Sequence, residues 1–466
     1  MEALQFIKEL LSTPAIFIGI IALIGLLLQR KDAQTVVKGT IKSILGFVIL
    51  NAGAAVIQQA IIPFGDLFQI SFNIHGVVPN NEAITSLGLT QYAIETSSIF
   101  AIGMIMNIIL ARFSKLKYIF LSGHHSLYMS CLIAIILKSA GMEGWMLIAT
   151  GSLLLGLCMC VFPAIMQPTM RKITGNDTLA LGHFGTCCYW LSAQIGKLMS
   201  KIGDPEKAKT TEDVNFPKSV SFLRDNSISI SIIMFICYFV VAIIANFGAN
   251  SGEAAAIFKG SNWFLYATLQ SITFAAGIYI VLAGVRMLIA EIVPAFKGIS
   301  EKVVPNAKPA LDCPTVFPFA PNAVLIGFLS SFVGGIVGLA VLALLGQTGL
   351  AVAIILPGAV AHFFCGATAG VCGNARGGLK GCIAGAFVHG IAITLLAAAL
   401  LPVLGDLGFA NTTFADTDFC VVGIVFGNIA KLVSSTGLFV IVIVLFLLPI
   451  AYNYTIGRKT GKKESK

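Results

Sequence analysis

The chain has 466 residues, 57% of them hydrophobic and only 11% charged, with a mean hydropathy of +0.91. Soluble domains carry about 25% charged residues, so the composition excludes a soluble enzyme or binding module and predicts an all-α polytopic membrane protein. The formal charge of +9 is expected to sit in loops on the cytoplasmic side of a bilayer and is not read as a sign of a nucleic-acid partner.

In chain order, spanning segments are predicted at 14–28, 42–62, 96–113, 118–138, 143–167, 228–248, 263–290, 322–345, 350–366, 379–403 and 432–456. Each is an apolar run near the ~20 residues needed to cross hydrocarbon. The first run, Pro14 to Leu28, has no basic region before it and ends in Gln-Arg-Lys, so it reads as a retained helix rather than a cleaved leader. The shorter runs 118–138 and 350–366 are candidates for re-entrant hairpins. Between 169 and 226 lies a hydrophilic segment with eight basic and six acidic residues. The tail 457–466 is basic. Arg30, Lys31, Lys38 and Lys42 follow the first helix, and Lys38 and Lys42 read as interfacial anchors. These three basic regions place their loops and the C-terminus in the cytoplasm. An outside N-terminus then requires an odd number of crossings, about eleven, in a single membrane-embedded domain.

The eleven cysteines are scattered through apolar runs and read as buried reduced thiols. No CxxC or His-x3-His spacing marks a metal site, and no cofactor is expected. GxxxxGK[ST] is absent, so transport would draw on an ion gradient, a partner protein or the solute's own gradient.

The stretch Ala310 to Gly378 carries the chemistry. Asp312 lies in Ala310-Leu-Asp-Cys-Pro, and Thr368, Asn374 and Arg376 lie in a second broken run that begins His362-Phe-Phe-Cys. Non-helical backbone survives at membrane depth only when buried in protein or lining a watery cavity, and transporters build solute sites on such interrupted segments. Ionised Asp312 would accept hydrogen bonds from solute hydroxyls. The alternative is that it only caps the helix that follows or sits in a wet loop. Gly123-His124 and Gly182-His183 repeat a Gly-His pair ahead of helical sequence, which places an imidazole beside a chain break. His125 is expected to point elsewhere on its helix. Arg286 and Glu291 are five apart, a poor helical pair, and read first as structural ion-pairing groups.

A weak internal repeat pairs Phe100 to Phe113 with Phe319 to Phe332, each preceded by a carboxylate, Glu95 and Asp312. An odd number of crossings per unit would invert the two copies.

Taken together these motifs resemble the membrane IIC component of the ascorbate-type family in the bacterial phosphoenolpyruvate-dependent sugar phosphotransferase system. The resemblance runs from Pro14 to Gly457. Its motifs are Lys38-Gly-Thr-Ile-Lys-Ser-Ile-Leu-Gly-Phe, Leu121-Ser-Gly-His, Leu181-Gly-His, Gly284-Val-Arg-Met with Ala290-Glu, Phe296-Lys-Gly-Ile-Ser, Asp312-Cys, Phe319-Ala-Pro-Asn-Ala-Val and Ala367-Thr-Ala-Gly-Val. It implies a homodimer in the bacterial inner membrane, with inverted repeats, a moving core domain and a scaffold domain. It also implies delivery of the solute to a separate IIB protein, charged through IIA, for phosphorylation. By position, His124, His183 and Asp312 would line the site, with Thr368 and Asn374 in the same core. The chain departs from the family at Tyr128 and Phe184, where glutamine is usual, so ascorbate competes with pentitols, sugar acids and other sugars as the expected solute. An ion-coupled secondary transporter is the main alternative. A membrane enzyme is disfavoured because no catalytic constellation is visible. The tail after Gly457 is too short to supply a IIA or IIB domain, so phosphotransfer is expected from a partner.

Overall fold

The computed structural model describes residues 14–73, 76–202, 209–214, 226–290, 302–350, 352–409 and 411–461. The first helices are α1 (Pro14–Leu28) and α2 (Ala33–Phe72). Asp32 caps α2 by accepting from the Thr35 N–H, and the helix stops where Asn73 turns left-handed at φ 54°. With 40 residues, α2 runs ~60 Å at 1.5 Å per residue, so the apolar stretch 42–62 is about half of it. Strand β1 (Gly76–Pro79) then leads into α3 (Asn81–Phe113), which bends at Tyr92, where φ is −128°.

The remaining elements repeat this strand-then-helix order. β2 (Tyr118–Phe120) precedes α4 (Gly123–Ser139) and α5 (Gly144–Thr174), and β3 (Ala180–Leu181) precedes α6 (Thr186–Met199). Helices α7 (Asn226–Phe247), α8 (Ser251–Phe258) and α9 (Trp263–Ile289) follow. β4 (Lys308–Leu311) runs through a 3₁₀ turn, Cys313–Phe319, into α10 (Pro321–Gln347). β5 (Ile354–Ile355) leads by a π turn, His362–Gly366, into α11 (Ala367–Leu400). β6 (Thr412–Thr413) opens α12 (Thr417–Leu432), and α13 (Ser435–Gly461) ends the described chain.

Among the described residues, seven helices are long and apolar enough to cross a membrane, which makes this a multi-pass membrane protein. One expected segment changes character. Helix α4 has only 17 residues and begins beyond a strand, so 118–138 is a broken element. The apolar stretch Ala359–Val403 is two helical arms that turn back on each other at Gly378 (φ 59°), with Gly370 against Cys382 and Gly373 against Gly381, so the expected segment 379–403 starts directly after a real break. Residues 180–199 of the hydrophilic segment 169–226 are folded into the interior, with Leu181, His183, Phe184 and Tyr189 buried.

Among the described residues, six strands form two small parallel sheets in the orders β5-β1-β6 and β2-β4-β3. Gly76 pairs with Ile354 and Val78 with Thr412 in the first sheet. Tyr118 pairs with Lys308, and Ala310 with both Phe120 and Ala180, in the second. The ladders continue past the strands, with Leu121 N–H donating to Ala310 C=O at 2.9 Å and Gly182 N–H to Leu311 C=O at 2.7 Å. This pairing satisfies non-helical backbone that lipid could not. Gly182 is required there, because a Cβ would collide with the Ala310 carbonyl oxygen.

Helix packing falls into recognisable groups. α2 runs against α9, α7 and α1, while α10, α11 and α6 pack together and α3 lies on α5 and α4. At the polar edge, Asp177 ties the α5 terminus to the start of β4, accepting from Arg171 Nε (2.8 Å), Lys308 Nζ (2.6 Å) and Gln167 Nε2 (2.7 Å). Arg171 first, then Lys308 and Gln167, hold its carboxyl well below the usual carboxylate range.

Candidate solute site

Both sheets end at one cavity of about 400 Å³, within the ~300–1,000 Å³ typical of small-molecule sites. Every strand delivers a lining residue within five positions of its last one. Asn81 and Glu82 follow β1, His124 and His125 follow β2, His183 follows β3, Asp312 follows β4, Val360 follows β5 and Asp416 follows β6. The lining groups therefore sit mostly at helix starts, where free backbone N–H groups and the helix dipole favour negative charge.

Asp312 combines a cap with a place in the cavity lining. It caps the 3₁₀ turn, with Oδ1 accepting from the Cys313 N–H at 2.7 Å, and it faces the cavity with its side chain 34% exposed. Its Oδ2 lies 3.4 Å from His124 Nε2. His183 Nε2 is 3.9 Å from Asp312 Oδ1 and 3.8 Å from Asp416 Oδ2. Tyr189 Oη shares a hydrogen bond with His183 Nδ1 at 2.9 Å, which fixes the ring and turns Nε2 toward the carboxylates. Tyr128 also lines the cavity, and its buried hydroxyl has no partner within the protein.

Three expectations are corrected. His125 does not point away. It lines the cavity, stacks on Phe419 with ring centroids 5.7 Å apart, and approaches His183 to 3.8 Å between centroids. His124 and His125 are the second and third residues of α4, and first-turn side chains can both look out beyond a helix end. Phe184 does not face the cavity. It is 0% exposed, stacked on Phe120 at 4.6 Å and packed against Phe162 and Phe419. Thr368 is likewise 0% exposed, and its hydroxyl donates to the Phe364 carbonyl at 2.8 Å.

Asn374 and Arg376 also lie away from the cavity. Asn374 Oδ1 accepts from the Thr211 N–H at 3.1 Å, and Arg376 Nη2 donates to Thr169 Oγ1 at 3.3 Å. Arg286 does line it. Glu291 and the Phe296 motif lie outside the described residues.

Sequence reasoning missed Asn81, Glu82 and Asp416. Asn81 Nδ2 donates to Asp416 Oδ1 at 2.8 Å, while its Oδ1 accepts from the Ala415 N–H at 2.8 Å, so one amide locks the α3 start to the β6 exit. Glu82 Oε2 is buried without a partner. The available signal was a carboxylate in a short polar break between two apolar runs, the same signal that marked Asp312. Asp418 has a different task. Its carboxylate accepts from the Thr186 and Cys187 N–H groups, both at 2.8 Å, and so caps α6 outside the cavity.

The placement of Phe184 gives a direct expectation. Phe184→Gln buries an amide in an aromatic layer, and unmet buried polar groups cost about 1–3 kcal/mol. The variant is expected to melt at lower temperature than the parent with no gain in affinity for any solute. A rise in affinity on titration would show that residue 184 reaches the cavity.

Residues 9–418 match the EIIC-GAT family, described as PTS system sugar-specific permease component. The chain is similar to the ascorbate-specific PTS system EIIC component of Mycoplasma pneumoniae, with 28% identity over 424 positions covering 80% of this chain and 63% of that protein. It thus spans less than two thirds of the length of that relative.

Proposed function

The chain belongs to the sugar-specific permease components of PTS systems, and from that membership we propose that it carries a small polyhydroxylated solute across the bacterial inner membrane for phosphorylation by a separate IIB protein. The observation that carries the reading is the cavity at the ends of both sheets, where Asp312, His124, His183 and Tyr128 present hydrogen-bonding groups among Phe317, Phe363 and Phe364. Carboxylate acceptors bind solute hydroxyls, and the apolar rings fit the C–H faces of the same solute. The similarity to an ascorbate-specific protein makes ascorbate the leading candidate. With Tyr128 rather than glutamine in the cavity lining, sugar acids and pentitols remain in the same proposal.

The strand order supports a reading of the chain as two inverted repeats. β1 sits between β5 and β6, and β4 sits between β2 and β3, so the first strand of each half is enclosed by the later strands of the other. The repeats would then begin at β1 and β4 rather than in the register that pairs Phe100 with Phe319. In this proposal α3 to α6 and α10 to α12 form the moving core, α1, α2, α7 and α9 form the scaffold and dimer surface, about eleven segments cross the bilayer, and the C-terminus is cytoplasmic.

The test is binding of L-ascorbate, pentitols, sugar acids and hexoses to the purified protein, followed by uptake into vesicles with and without IIB and IIA proteins. Saturable binding of one class, with phosphorylated product only when the partners are present, is the expected result. Uptake of unmodified solute driven by a proton or sodium gradient would instead favour the secondary transporter. Failure of the folded protein to bind any member of the panel would remove the proposed solute class.

A further inference from the structure

We propose that His125, His183 and Asp416 form a binding site for one divalent transition-metal ion of the zinc type, with a fourth position open to water or solute. The site shares its cavity with the solute proposed above but rests on ligand geometry alone. The three residues come from separate parts of the chain, after β2, β3 and β6, so no local spacing encodes them.

Two ligand-to-ligand distances agree closely. His125 Nδ1 and His183 Nε2 each lie 3.8 Å from Asp416 Oδ2, and the three atoms all lie within 4.8 Å of one another. Asp312 approaches His125 through the other ring nitrogen, Nε2, at 3.9 Å, and so stands beside the set. A tetrahedral ion with bonds of about 2.0–2.1 Å separates its ligands by about 3.3–3.4 Å. Inward shifts of a few tenths of an ångström therefore bring each imidazole and Asp416 to bonding distance. Left as they stand, these contacts are too long for hydrogen bonds. The side chains of His125, His183 and Asp416 are 5%, 2% and 3% exposed, so water competes poorly for them. His125 Nδ1 is buried with no hydrogen-bond partner and faces Asp416.

The surrounding groups are those that orient metal ligands. A ligating imidazole is usually held through its other nitrogen, and a ligating carboxylate through its second oxygen. Tyr189 Oη engages His183 Nδ1 at 2.9 Å, and Asn81 Nδ2 engages Asp416 Oδ1 at 2.8 Å. Both leave the opposite atom, Nε2 or Oδ2, for the cluster. Charge points the same way. Asp312, Asp416 and Glu82 line the cavity with Arg286 as the one Lys or Arg among its described lining residues. Two imidazoles with one carboxylate and an open position favour zinc or cobalt over magnesium or calcium, which prefer oxygen ligands throughout.

The test is titration of purified, chelator-stripped, full-length protein with ZnCl₂ by calorimetry, and with CoCl₂ by visible absorption. One ion per chain is expected, with the intense cobalt bands of a four-coordinate site. Tyr189→Phe should weaken zinc binding about 10–100-fold, as losses of such orienting partners do. His125→Gln and Asp416→Asn should remove the cobalt bands while the protein still elutes as a single species. Absence of saturable binding by the folded parent, or cobalt bands that survive both His125→Gln and Asp416→Asn, would overturn the site. The cobalt spectrum of the parent protein keeps the proposal testable if a variant does not fold. The solute panel is measured separately on chelator-stripped protein, so loss of the ion site and loss of the permease reading give different results.

Discussion

Asp312→Asn is expected to lower solute affinity by about 10–100-fold while leaving the melting temperature and elution profile of the protein unchanged. The asymmetry follows from what the two carboxylate oxygens do. Oδ1 accepts from the Cys313 N–H at 2.7 Å, and an asparagine keeps an oxygen there, so the turn that launches α10 remains capped. Oδ2 faces His124 and the cavity, and an asparagine replaces that acceptor with an N–H₂ donor. A hydrogen bond to a charged group contributes about 1.5–3 kcal/mol, and each 1.4 kcal/mol is about tenfold in affinity. Calorimetric titration with the solute selected from the panel reads the effect. Unchanged affinity would take Asp312 out of the solute site and leave it only as a cap.

The contrast with Asp416 and Asp418 sharpens that expectation. Both are almost wholly buried, and both hold other parts of the chain, Asn81 in one case and the α6 N-terminus in the other. Changes there mix folding with binding. Asp312 has one oxygen in each task, which makes it the cleaner probe.

How much of this was legible in the sequence depends on scale. Long apolar runs announced the helices, because twenty or so residues without charge have one physical use in a multi-pass protein. The strands were not legible. Each is two to four residues long, too short to show alternation, and each is fixed by partners more than a hundred residues away in several cases, as with Gly76 and Ile354. The reversal at Gly378 lies at the end of the glycine-rich run that reads as broken in the sequence, and its φ of 59° is one that glycine adopts without strain.

The site was half visible for a related reason. His124, His183 and Asp312 stand out as polar groups beside glycine or proline in apolar surroundings. Glu82, in Val78-Pro-Asn-Asn-Glu, and Asp416, in Ala415-Asp-Thr-Asp, look like ordinary polar loops. Only the sheets show that these loops are buried. Phe184 was misplaced because its position in a motif says nothing about direction, and consecutive side chains leaving an extended segment point to opposite sides. The buried pair His362 and His389 gave no signal at all. They meet across Ser331, whose hydroxyl lies 2.8 Å from one Nδ1 and 2.9 Å from the other, and helices α10 and α11 must first be packed for that to occur.

That packing predicts the largest effect on the fold. Gly390→Val is expected to abolish recovery of monodisperse protein, or to lower its melting temperature by far more than a surface substitution. A Cβ at Gly390 would collide with the Ser331 carbonyl oxygen and come within 2.9 Å of the Gly335 backbone nitrogen. Backbone cannot rotate aside as a side chain can, so α10 and α11 must separate. Overpacking costs about 1–3 kcal/mol. Separation also stretches the two Ser331–histidine hydrogen bonds, each contributing about 0.5–1.5 kcal/mol, and leaves the imidazoles buried without a partner. The strain then reaches the cavity, because His362 opens the π turn whose next residues, Phe363, Phe364 and Cys365, line it. Gly252→Ala serves as the control, since Gly252 is exposed and a Cβ there meets nothing within 4 Å. Fluorescence-detected size exclusion after stepwise heating compares the two. Wild-type thermal behaviour for Gly390→Val would mean that α10 and α11 can move apart at little cost, and the close contact would then carry no part of the fold's stability.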